Sequence, residues 1–153
     1  MSRFRVRVER FIPAHPQRLF DIVADPRQHP SIDGSGTVKT VDSTAPAKLS
    51  LGSTFSIGMK LGAKYDMVNT VIEYEEGRRI AWTPNGDYVW RYTFTPVEGG
   101  TLVAEEWDAR KSRRRFFMGL LGFPRRNRRG IEQTLEKLHS LSSDPHAGMK
   151  SGK

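Results

Sequence analysis

Between residues 54 and 109 apolar and polar residues alternate with a period of two, and the breaks in the alternation are turn signals. Successive side chains of an extended chain point to opposite faces, so this pattern demands a series of strands that each bury one face. The strands are expected over 54–60, 64–75, 79–83, 88–95 and 101–109. Gly77-Arg78, Asn85-Gly86 and residues 96–100 join the last four. Asn-Gly is a strong hairpin signal, because both central residues of a type I′ turn need positive φ. Short hairpin connections make the pairing antiparallel.

The flanks add two strands and the helices. Phe4, Val6 and Val8 alternate with arginines, which predicts a strand over 3–12, and a short strand is expected over 37–41. Pro16 suits the first turn of a helix that Asp25-Pro26 closes, and a further helical turn is expected over 27–31. Residues 42–52 have no period and read as a surface loop. After residue 115 the period changes: Phe116, Phe117, Leu120 and Leu121 have helical spacing, interrupted by Gly119, Gly122 and Pro124. From Arg125 one long amphipathic helix carries Asn127, Ile131, Thr134 or Leu135, Leu138 and Leu141 on one face. Residues 142–153 are polar and predict a flexible tail behind a single domain spanning 1–141.

One helix against seven strands leaves a geometric surplus. Strands lie about 4.8 Å apart, which makes the sheet roughly 29 Å wide, whereas a helix with its side chains is about 10–12 Å across. The inward face carries Phe55, Ile57 and Met59, then Tyr65 and Met67, then Trp82, Tyr88, Trp90, Tyr92 and Trp107. Left wet, it would be a larger apolar patch than monomers tolerate. Curling of the sheet around the helix, with an apolar hollow left over, resolves the mismatch.

Several segments fit one known pattern: residues 13–26 (Pro-Ala-His-Pro-Gln-Arg-Leu-Phe-Asp-Ile-Val-Ala-Asp-Pro), Ile80-Ala81-Trp82, Tyr92-Thr93-Phe94-Thr95-Pro96 with Gly99-Gly100-Thr101, and the terminal helix. Together they resemble the START-like (SRPBCC) superfamily, in its bacterial polyketide cyclase/dehydrase and lipid-transport branch, over about residues 3–141. The resemblance implies an α+β helix-grip fold, a curved antiparallel sheet of about seven strands around a long C-terminal helix with a short helical pair after the first strand. It also implies a cavity between sheet and helix for lipids, polyketides or other apolar small molecules. Members include cyclases and pure carriers, so the fold does not fix the activity.

Within that cavity Glu105 is the sharpest candidate. The register points it inward between Val103 and Trp107, where loss of water raises a carboxyl pKa and suits a general acid or base. Asn127 and Ile131 of the last helix are expected to face the ligand. Phe116, Phe117, Leu120 and the 42–52 loop are expected to gate the cavity mouth. His15 and His29 sit beside prolines without partner spacing and read as structural or exposed. Asp25, Asp33 and Asp108 read as caps or turn residues.

The charge is uneven. Residues 110–129 hold nine of the 25 basic residues and none of the 17 acidic ones, so the remainder, with 16 against 17, is near neutral. This segment reads either as a solvated face or as one that meets an anionic membrane surface or ligand, nucleic acid being the weaker alternative. Absence of cysteine removes disulfides, thiolate metal sites and a cysteine nucleophile. The four histidines lack zinc spacing, so no metal is expected, and no cofactor motif is present. The amino terminus lacks a signal-like apolar run, which makes a cytoplasmic location the expectation. The leading reading is a binding or carrier protein for an apolar or amphipathic small molecule. A cyclase/dehydratase-like enzyme using Glu105 or a cavity tyrosine is the alternative.

Overall fold

The computed structural model describes residues 3–36, 38–42, 44–61 and 63–143. Strand β1 (Arg5–Ile12) leads into helix α1 (Pro16–Val23), a 3₁₀ turn (Pro26–Gln28) and the single-turn helix α2 (His29–Ile32). Six strands follow: β2 (Val38–Val41), β3 (Thr54–Leu61), β4 (Ala63–Glu75), β5 (Arg79–Pro84), β6 (Val89–Val97) and β7 (Gly100–Asp108). The chain ends in α3 (Arg115–Leu120) and the long helix α4 (Phe123–Ser143). All strands join one antiparallel sheet in the order β1-β7-β6-β5-β4-β3-β2. The sheet curves around α4 in the expected helix-grip arrangement.

Sequence features account for the local structure. Asn85 and Gly86 have φ of 52° and 73°, the pair of positive values that a type I′ turn needs. The ladder beyond this turn resumes only at Trp82 and Trp90, so Tyr88 precedes β6 rather than belonging to it. His15 caps α1, its Nδ1 accepting from the Gln17 N–H at 3.2 Å. Asp25 caps the 3₁₀ turn by accepting from the Arg27 N–H at 3.0 Å. Gly34 lets the α2–β2 turn lie directly on α4: a Cβ there would sit 2.3 Å from the Gly130 carbonyl oxygen.

Three details depart from the expectations. Helix α4 runs through Ser143, and Ser142 is buried on it; the backbone continues its ladder two residues beyond the predicted boundary. Residues 144–153, expected as a tail, lie outside the described residues. The β4–β5 register shifts between Val71 and Glu73, a bulge that carries Tyr74 to the core side, where its ring meets Phe20 edge-on at 5.6 Å. The 42–52 loop is tied down near α1, its Leu49 fully buried with the N–H donating to Ala24 O at 2.7 Å.

The interior divides into two parts. At one end α1 drives Leu19, Phe20 and Val23 against Ile80 and Phe94, and the space is filled. Helix α4 lies over β1 and β7 through Ile131, Leu135 and Leu138. The part of the sheet formed by β3 to β6 is beyond its reach.

Candidate functional site

A cavity of about 260 Å³ occupies that uncovered part. Strands β3 and β4 contribute Ile57, Met59, Tyr65, Met67 and Asn69 to its wall; Trp82, Tyr88, Trp90 and Tyr92 come from the β5–β6 hairpin. Glu105 and Trp107 of β7 form the back, and α4 closes the opposite side with Phe123, Arg126, Asn127, Gly130, Ile131 and Thr134. The α2 segment supplies His29, Ile32, Asp33 and Ser35. Tyr92, Glu105 and Trp107 are buried while Ser35, Tyr65 and Arg126 are exposed, so the hollow opens between the start of α4 and the β3–β4 end of the sheet. An apolar wall with a few convergent polar groups is how small-molecule sites are built.

Glu105 is 4% exposed on this wall. Tyr92, its direct partner across the β6–β7 ladder, donates its hydroxyl to Oε1 at 2.8 Å. Oε2 has no hydrogen-bond partner among the described residues. Burial pushes the carboxyl up to about 8, against a smaller downward pull from the Tyr92 hydroxyl, with the negative charge of Asp33 adding to the rise. At neutral pH the group is therefore mostly a neutral acid. With Tyr92 already donating to Oε1, the acid proton belongs on Oε2, where it is a donor awaiting an acceptor. Burial also holds the Tyr92 phenol well above its ordinary range, so it stays a neutral donor.

His29 is buried, and loss of water pushes its pKa down. The neutral ring donates from Nε2 to the Val23 carbonyl oxygen at 2.8 Å, which leaves Nδ1 as an acceptor. Its face stacks on Trp82 with centroids 5.0 Å apart, and Trp82 in turn lies 5.7 Å from the Tyr92 ring. An aromatic column thus runs from α2 to the Tyr92–Glu105 pair and fixes the tyrosine ring.

Of the residues expected at a ligand, Ile57, Met59, Tyr65, Met67, Trp82, Tyr88 and Trp90 all line the cavity, as do Tyr92, Glu105, Trp107, Asn127 and Ile131. Phe55 does not: it is buried behind the wall, edge-on to Trp82 and His29. Phe116, Phe117 and Leu120 are not at the mouth either, because the break before α4 turns them outward, and no described residue of the 42–52 loop reaches the cavity. His29, Phe123 and Arg126 join the wall without having been expected there, as do Asn69 and Thr134, which were placed on inward faces but not at the ligand. The helix positions could have been read from Asn127 and Ile131, since 126, 127, 130, 131 and 134 share one helical face. His29 carried no such signal. Among the described residues, no group of three or more His, Asp or Glu could hold a metal ion, and no helix is long and apolar enough to cross a membrane.

A family model described as polyketide cyclase / dehydrase and lipid transport matches residues 3–142. An uncharacterised protein of Mycobacterium tuberculosis, Rv0088, is 38% identical over 134 residues, covering 83% of this chain and 59% of that one. The chain thus spans about three fifths of the length of the curated relatives it matches. Among solved structures, protein CV1439 from Chromobacterium violaceum superposes with a TM-score of 0.72 at 17% identity, covering 94% of this chain and 99% of that one. Protein Ms6760 from Mycobacterium smegmatis gives a TM-score of 0.67 at 19% identity, with 90% of both chains covered. Identities this low speak for the fold alone.

Proposed function

The chain belongs to the polyketide cyclase / dehydrase and lipid transport family, and from that premise we propose that it binds an apolar or amphipathic small molecule in the cavity between sheet and α4, as a carrier. The observation that supports this most directly is the Glu105 Oε2 atom, a buried polar atom on a mostly apolar wall and without a partner among the described residues. A buried polar group left unpaired costs free energy, about 1–3 kcal/mol, that a guest bearing an acceptor would recover. The guest is therefore an apolar body with a carbonyl, ether or hydroxyl oxygen placed to accept from Glu105. A carboxylate-bearing guest would put that charge toward the Arg126 rim.

Native mass spectrometry of the freshly expressed protein tests this reading. A co-purifying compound of this chemistry is the expected result, and its retention should fall as pH rises through about 8, where Glu105 ionises and ceases to donate. Glu105→Gln keeps a donor and should hold the compound without that pH dependence. A protein that co-purifies empty and takes up no apolar probe would overturn the proposal.

The same neutral acid favours a second reading, a cyclase/dehydratase-like enzyme. A protonated carboxyl beside a fixed phenol can deliver a proton to a carbonyl oxygen of a polyketide-like chain. Chemical change in the recovered compound on incubation, lost in Glu105→Gln, would separate this enzyme from the carrier.

A further inference from the structure

The outward turn of α3 leaves Phe116, Phe117, Leu120 and Leu121 at 61%, 60%, 84% and 51% exposed. Four large apolar side chains within six residues are a concentration that a monomer in water normally avoids. The same stretch of chain, residues 110–129, carries nine cations. Among the described residues only Arg110 and Arg114 of these nine are ion-paired, to Asp108 and Asp87. The first turn of α4 contains no acid. Arg125, Arg126, Arg128 and Arg129 therefore crowd the helix end that already bears the positive pole of the backbone dipoles, an arrangement unfavourable in isolation and favourable against an anionic surface.

We propose that α3 and the first turns of α4 form a face that docks on an anionic lipid bilayer, with the apolar tips at the acyl boundary and the arginines on the phosphate groups. The composition selects this occupant over two others. Leu120 and Leu121, prominent on the face, have no π-surface on which a base could stack, as a single-stranded nucleic acid would require. A second copy meeting the same face by two-fold symmetry would bring both clusters of cations together. The docked face also adjoins the cavity. Phe123 and Arg126 line its mouth, and Phe123 lies only two residues, at most about 7 Å of chain, from Leu121. A bilayer-bound protein would thus present the opening to the membrane, a route for an amphipathic guest. Docking itself needs no guest, so it stands or falls apart from the cavity reading.

Co-sedimentation of the whole chain with vesicles tests the docking. Vesicles of equimolar phosphatidylcholine and phosphatidylglycerol should bind it, and phosphatidylcholine alone should bind it about ten-fold less or worse. The triple variant Phe116→Ser, Phe117→Ser, Leu120→Ser keeps every charge, and it should lose about ten-fold of the binding at high as well as low salt. Arg125→Gln with Arg128→Gln should lose binding mainly at low salt. All five positions are exposed, and unchanged thermal melting would show that the fold is kept. The chain has no cysteine, so Leu120→Cys bearing an environment-sensitive dye reports insertion as a blue shift, while the same dye at Glu98→Cys should stay in water. Equal binding to both vesicle types, a dye at Leu120→Cys that stays in water, or salt-sensitive duplex DNA binding in place of vesicle binding would each overturn the proposal.

Discussion

Glu105 and Glu106 are neighbours in the chain and equally buried, at 4% and 5% exposure, yet they sit in opposite electrostatic worlds. Glu106 faces outward from β7 and is held by two arginines: Arg5 Nε donates to Oε1 at 2.5 Å, and Arg91 Nη1 reaches the same oxygen at 3.2 Å. Arg91 continues the ladder to Glu73, at 2.5 Å, so alternating charges tie β1, β7, β6 and β4 together across the outer face. Glu105 faces the cavity with a single tyrosine hydroxyl for a partner and is mostly protonated at neutral pH. Burial alone therefore says nothing about what a carboxyl does. The set of donors around it decides between a structural ion pair and a neutral acid left for a guest.

The largest test of this contrast is Glu105→Gln. The folded carboxyl keeps its proton up to about pH 8, whereas the unfolded one releases it near the ordinary value of 4.5. Since the unfolded state then binds fewer protons, wild-type stability should fall as pH rises from 4.5 to 8 and then level off with respect to this group. The amide has no proton to release, so Glu105→Gln should gain up to roughly 4 kcal/mol on wild type by pH 8. Denaturant unfolding at pH 5 and pH 8 checks this; parallel changes in the two proteins would remove the distinction. Next in size, Glu106→Gln should lose about 2 kcal/mol, because it takes the charged partner from Arg5 and leaves Arg91 with Glu73 alone, while both arginines keep some contact with water. Its loss should persist at alkaline pH, the opposite sign to the neighbouring variant, and thermal melting at pH 8 reads both. The smallest effect is expected for Tyr92→Phe, which leaves Oε1 without its donor at a cost of about 1 kcal/mol. Because the tyrosine bond pulls the Glu105 pKa down, its removal should move the carboxyl titration further up, as seen by carbon NMR of the side chain. A titration that stays in place would mean that Tyr92 is not the controlling donor.

Much of this was legible in the alternation. Period two placed Glu105, Trp107, Tyr92 and Trp90 on one face, and no competing signal disturbed it. Even the Tyr92–Glu105 pairing follows from the β6–β7 hairpin: once Val97 pairs with Gly100, counting back sets Tyr92 opposite Glu105. Where reading failed, it failed at places without a period. His29 lies in a one-turn helix too short to show a face, and its burial comes from contacts with Trp82 and Phe55 that are remote in sequence. Phe116, Phe117 and Leu120 have helical spacing, but spacing cannot say whether a face meets the protein or something outside it. The bulge near Ile72 likewise left no mark, since both neighbouring residues fit a strand on either face.

The amino-acid order by itself determined seven strands, one long helix and an inward-facing carboxyl, because side-chain direction in regular backbone depends only on position along the chain. Tertiary structure alone decided that Glu106 would also meet the Arg5 guanidinium of β1, that His29 would stack on Trp82, and that α3 would turn its apolar side to solvent. Those outcomes depend on distances between segments far apart in sequence, and only the curvature of the sheet around α4 sets them.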